Sequence, residues 1–152
     1  GESAFAEVLG VLLSLPATVR NSSSHSRHPP GTDHITSTVL LTGQRLSGSV
    51  HVQLPLAFVA HAVRLLTGLD GAAGDTNAVQ DDAAGELANM VAGRVAAQLA
   101  ADGYPCTLGT PSVSRGAGLP METGPGVNRG RTDLICDGHS LSLELQCRYV
   151  DP

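Results

Sequence analysis

From Asp82 to Leu99 the chain contains no proline, and its apolar residues recur with the period of an α-helix. At about 100° per residue, Leu87, Ala88, Val91, Val95 and Leu99 gather on one side of that helix. Asp82, Glu86, Asn89, Gly93 and Ala97 fall on the opposite side. A helix with one apolar face must lay it on something, so the rest of the chain has to supply a covering layer. Asp81 and Asp82 are expected to cap its start and suit the positive end of its dipole, and Gly103 to end it. The outward side then forms a ridge on which an acid, Glu86, and an amide, Asn89, stand three residues apart. Gly93, one turn further on, leaves room for a close approach by another surface. Glu and Asn are also ordinary residents of a solvated helix face, and spacing alone favours that plainer reading.

The covering layer is legible as strands. In the last strand Leu141, Leu143, Leu145, Cys147 and Tyr149 alternate with Ser140, Ser142, Glu144, Gln146 and Arg148. It follows a strand at 129–136 across Asp137-Gly138, a strong signal for a two-residue hairpin. A second hairpin joins 35–42 to 46–54 around Gly43-Gln44-Arg45. In its second strand Val50, Val52 and Leu54 alternate with Ser49, His51 and Gln53, which predicts one buried face and an outward, solvated His51. Residues 17–20 read as a short strand and 104–110 as another. Helices are expected over 2–15, ended by Pro16, and over 55–66, with Pro55 at the first helical position and His61 at the surface. Loops are expected at 21–31, 68–78 and 114–126. His25, His28 and His34 fall in or beside the first of these, with no carboxylate or thiol at ligand spacing, so no metal site is read there. The sum is a single domain over 1–152, α+β, with a largely antiparallel sheet in two layers with the helices.

At 41% hydrophobic the chain is not disordered as a whole, and with two Phe, two Tyr and no Trp its core must be Leu, Val and Ala. All nine basic residues are Arg and the net charge is −5, which excludes a Schiff-base lysine and a phosphate-loop lysine and disfavours nucleic acid. Cys106, Cys136 and Cys147 show no metal or redox spacing and read as reduced core thiols. No leader-like stretch or membrane-length apolar run is present, so a cytoplasmic protein is expected. Nucleophile motifs and a glycine-rich phosphate cradle after a strand are also missing.

The run Asp82-x3-Glu86-x2-Asn89, continuing Met90-Val91-Ala92-Gly93, resembles the signature of the CheC–CheX–FliY chemotaxis phosphatases. Gly68-Leu69 before it and Leu108-Gly109-Thr110-Pro111-Ser112-Val113 after it resemble the CheX branch in particular. The likeness in element order covers most of the chain. The CheC branch carries a second Glu-x-x-Asn pair on its first helix. Here Glu7 is followed three positions later by Gly10, which leaves one candidate site.

The resemblance implies a two-layer CheC-like fold and a partner, a phosphorylated response regulator such as CheY. The phosphoryl group sits on an aspartate of that partner beside a Mg²⁺ that the partner binds, so the chain needs no cofactor of its own. In this picture Asn89 aims the attacking water and Glu86 pairs with the regulator's active-site lysine. Asp82 and Gly93 border the contact, with Asp82 chiefly compensating the helix dipole, and Thr110-Pro111 forms a structural turn. The resemblance further implies a homodimer built by strand pairing, for which the long C-terminal strands are candidates. Three other readings fit the same residues: a catalytically idle dimeric adaptor, a flagellar switch or secretion component, and a plain ligand-binding domain.

Overall fold

A computed structural model of the protein describes residues 17–20, 34–67, 77–116, 126–136 and 138–150. The helix expected over 2–15, most of the three long loops, His25 and His28 lie outside these residues.

The described elements, in chain order, are β1 (Ala17–Arg20), β2 (His34–Thr42), β3 (Leu46–Pro55), α1 (Leu56–Thr67), α2 (Asn77–Ala101), β4 (Thr107–Leu108), β5 (Ser112–Arg115), β6 (Val127–Cys136) and β7 (His139–Tyr149). All seven strands join one sheet in the order β1-β6-β7-β3-β2-β4, with β5 also on β2. Every pairing is antiparallel. This is the α+β, two-layer architecture expected.

Both hairpins form where their turn chemistry places them. Cys136 pairs with His139, and Gly138 takes φ +79°, which an L side chain adopts poorly. At the other hairpin the Gly43 N–H donates to the Leu46 carbonyl at 2.9 Å. A Cβ at Gly43 would run into the Pro105 carbonyl oxygen, so the turn can pack on the segment after α2 only without a side chain.

One sheet face and the two helices enclose the core. Ile35, Val39, Leu41, Val50, Val52, Leu54, Leu141 and Leu143 come from the sheet. Phe58, Val59, Ala62 and Val63 come from α1, and Ala84, Leu87, Ala88, Val91, Ala92 and Val95 from α2. Ala84, Ala88 and Ala92 stack one turn apart, which lets the helix backbone lie close on the strands. No helix among the described residues is long and apolar enough to cross a membrane.

Several boundaries and one face differ from the expectation. Pro55 ends β3, paired with His34, and α1 starts one residue later. His34 is a buried strand residue, not part of a loop. The strand expected over 104–110 shrinks to Thr107–Leu108, and the stretch from Ser112 into the expected loop pairs with β2 as β5. The break between them is Gly109-Thr110-Pro111, where proline has no N–H for a ladder.

His51 is 3% exposed, not solvated. The register places it between Thr38 on β2 and Glu144 on β7, with Ser49–Gln146 and Gln53–Ser142 alongside. All of these but the half-buried Thr38 are buried, so the centre of the polar face is shielded, while Leu40, Thr42, Ser47 and Arg148 towards one end of it are exposed. Alternation shows which residues share a face; it carries no information on whether that face meets water. Hydrogen bonds meet the burial at His51 and Ser142, while Thr36 Oγ1 on the same face has no such partner among the described residues. His51 Nδ1 lies 2.9 Å from Thr38 Oγ1 and its Nε2 lies 2.7 Å from Ser49 Oγ. The Ser142 hydroxyl donates to Asp133 at 2.8 Å, and the Arg131 guanidinium reaches both.

Candidate functional site

The site is built on α2, which is longer than its apolar period suggests. It starts at Asn77, so Asp81 and Asp82 lie past the first turn and do not cap it. The dipole effect fades within that turn, so neither aspartate has the role expected of it. Asp81 instead meets Arg115 of β5, whose Nη2 is 2.8 Å from Asp81 Oδ1. The same nitrogen donates to Gln80 Oε1 at 3.2 Å and to the Asn77 carbonyl at 3.3 Å. One guanidinium thus pins the first turns of the helix to the sheet edge. No local pattern at Arg115 announces this, because its acceptors are more than thirty residues away in sequence.

The far end closes as expected. Gly103 takes φ +94°, the Tyr104 N–H donates to the Leu99 carbonyl at 2.8 Å, and the Gly103 N–H donates to Ala100 at 3.1 Å. This is a Schellman motif, which satisfies carbonyls the helix would otherwise leave open. Arg45 then donates to the Gly103 carbonyl at 3.3 Å and stacks over the Tyr104 ring at 5.1 Å.

Between these fastenings the helix divides as its periodicity predicts. Leu87, Ala88, Val91 and Val95 are buried, while Asp82, Glu86, Asn89 and Ala97 are exposed. Glu86 and Asn89 stand side by side, one turn apart, and neither is committed to a hydrogen bond or ion pair with another described residue. Gly93 is half-buried, and a Cβ there would meet only Leu108 Cδ1, at 4.0 Å.

What seats the ridge is Gly85, the buried residue before Glu86. Its missing side chain faces Pro111 Cβ at 3.6 Å and Val113 Cγ2 at 3.7 Å. Pro111 and Val113 of β5 thus support α2 beneath the pair, although Gly109–Pro111 is the irregular break between β4 and β5 and not the turn expected. Met90 belongs to the ridge as well, at 38% exposed, and was given no role from sequence. The helical wheel sets it about 40° from Glu86, so the same arithmetic that found the pair locates it.

Among the described residues no three His, Cys, Asp or Glu side chains gather as a metal site. Cys106 and Cys147 are free thiols, and burial pushes both up from their ordinary pKa. Neither has the lowered pKa of an activated nucleophile.

The sequence model of chemotaxis phosphatase CheX matches residues 35–132. No curated protein sequence matches the chain significantly. Among solved structures, the chemotaxis protein CheX of Vibrio vulnificus superposes with TM-score 0.77 at 18% identity, covering 96% of this chain and 92% of that one. A CheC-like chemotactic protein of Shewanella oneidensis gives TM-score 0.73 at 17% identity, over 96% and 94%. The CheX of Borrelia burgdorferi, solved in a complex with CheY, BeF₃ and Mg²⁺, gives 0.67 at 15% identity, over 96% and 94%. At such identities the superpositions speak for shared architecture. The sequence model spans more than half of the chain and contains the whole ridge, and the protein belongs to the CheX family of chemotaxis phosphatases.

Proposed function

We propose that the protein promotes hydrolysis of the phospho-aspartate of a CheY-like response regulator, with Glu86 and Asn89 inserted into the partner's active site. The observation that carries this reading is the position of the pair: adjacent, exposed and uncommitted, on a helix fastened at both ends, in a member of this family. The Borrelia relative solved with CheY adds support.

The chemistry asks little of the helix beyond placement. A water oxygen attacks the acyl phosphate in line, the bond from phosphorus to the aspartyl oxygen breaks, and the products are inorganic phosphate and a free aspartate. The Mg²⁺ on the partner offsets charge on the phosphoryl oxygens. Asn89 can accept from the water with its carbonyl and donate to a phosphoryl oxygen with its NH₂, without itself changing protonation. Glu86 meets the regulator's active-site lysine and fixes register. Asp82, one turn before Glu86, adds negative charge at the rim. Phosphate release from a panel of phosphorylated CheY-like regulators tests the reading. Acceleration by the protein is expected for at least one of them, and none would leave a docking module without turnover.

Gly93 acts in this reading by its lack of bulk. Gly93→Ala should raise stability by up to about 1 kcal/mol, since alanine favours a helix and its Cβ meets nothing closer than 4.0 Å. The same methyl should weaken association with the regulator. Thermal unfolding and binding should therefore move in opposite directions, and unchanged binding would remove Gly93 from the contact.

The homodimer belongs to this proposal too. Among the described residues the longest open edge on the C-terminal strands is residues 127–132 of β6, since β1 pairs only with residues 133–136, while β7 is paired on both sides. An open strand edge is a template for a second chain. Sedimentation at twice the 15.5 kDa chain mass is expected, and a monomer at micromolar concentration would sink the dimer.

A further inference from the structure

The acid/amide pair leaves a physical question open. An ion pair of Glu86 with a lysine inside the contact adds little net affinity, because desolvating both charges offsets their attraction, and an amide holding a water adds little more. Binding of useful strength needs apolar area removed from solvent near the centre of the contact. Four large apolar side chains of the described residues are well exposed: Leu40, Met90, Tyr149 and Val150. Leu40 lies on β2, and Tyr149 and Val150 lie at the end of β7, where Tyr149 packs on Tyr104. Only Met90 is on the ridge.

Its position there is specific. Met90 stands four residues after Glu86 and three before Gly93, so it borders the ridge on the Glu86 side, about 100° round the helix from Asn89. A long helical side chain leans towards the helix N-terminus and covers the turn before its own Cα. For Met90 that turn carries Glu86. That lean would bring the thioether beside the Glu86 carboxylate, where a partner seated on the pair would bury it. Methionine suits such a place, because an unbranched, polarisable side chain adapts to a surface it was not moulded on.

We propose that Met90 is the apolar anchor of the ridge: it supplies the main hydrophobic contact with the receiver domain and excludes water around the Glu86 pairing. The inference rests on the functional reading above. The occupant is the receiver domain's active-site face, because Met90 is continuous with the pair that enters it. The face that receives Met90 must itself be apolar beside its phospho-acceptor, so Met90 also helps decide which regulators bind.

The test uses the full chain and a panel of CheY-like receiver domains held in the active form by BeF₃ and Mg²⁺, with binding read by calorimetry. Met90→Ala should weaken binding about tenfold, as expected for losing most of a buried methionine's apolar contact. Met90→Leu should restore it to within about twofold, and Met90→Gln, similar in length but polar, should not. In turnover the loss should appear in KM far more than in kcat, the reverse of Asn89→Ala. Wild-type binding by Met90→Ala overturns the anchor while the functional reading stands. Met90→Leu no better than Met90→Ala also overturns it, since apolar area would not be what matters. A Met90→Ala effect on self-association alone assigns the side chain to a second copy and overturns the proposal. If the unaltered chain binds no receiver domain, the functional reading falls and the anchor with it.

Discussion

Asn89→Ala is expected to lower the rate of phosphate release about a hundredfold while leaving association with the regulator nearly intact. That factor, about 2.7 kcal/mol of transition-state stabilisation, is the usual cost of deleting one positioned hydrogen-bonding group. In the proposed mechanism the amide holds a water that the partner's phosphoryl site also binds, so its removal should disorganise attack without undoing docking. Asn89 is exposed, so the substitution should leave the unfolding temperature in place or raise it slightly through alanine's helix propensity. Glu86→Ala should differ in kind, weakening both binding and turnover, because the carboxylate sets the register in which Asn89 meets the water. Glu86→Asp, one methylene short, should recover little of either. Rapid-quench measurement of phosphoregulator decay over a range of protein concentrations separates the two parameters. Full activity in Asn89→Ala would mean that the water is aimed by some other group.

Phe58→Ala destabilises the fold by about 3–5 kcal/mol, with an unfolding temperature roughly 10 °C lower. Phe58 is 0% exposed and ranks first by volume among the fully buried side chains. It faces His139 edge-on at 5.8 Å, which ties α1 to the start of β7. Domains of this size are stable by about 5–15 kcal/mol in total, which makes the loss a large share. Turnover per folded molecule should survive at low temperature, because Phe58 lies on α1 and the ridge on α2. A loss under about 1 kcal/mol in chemical denaturation would mean that the helices collapse onto the space left behind.

The ridge was legible because one helix decides it. Leu87, Val91 and Val95 point inward and Glu86 and Asn89 outward by wheel arithmetic alone, whatever the helix packs against. Asp137-Gly138 was legible for a related reason, since a two-residue turn needs only its own backbone geometry. The likeness to the CheX branch is legible for the same reason, since residues 82–93 and 108–113 carry it as short local runs.

Asp81 shows where such reasoning stops. An aspartate before an apolar helical run looks like a cap, yet the helix extends back to Asn77, and Asp81 answers to Arg115 on a strand far along the chain. His51 shows the same limit on the sheet. Its alternation with Val50 and Val52 separated the faces correctly but could not say that both would be covered at His51.

What the order of residues determined by itself was each element's period, its turns and the composition of its two faces, because these depend on neighbours within a few positions. Only the tertiary structure decided that Pro111 and Val113 would seat the helix under Glu86, that Arg115 would hold its first turns, and that the centre of the sheet's polar face would be shielded. Those outcomes depend on contacts between segments distant in sequence, whose meeting is set by the packing of the whole domain.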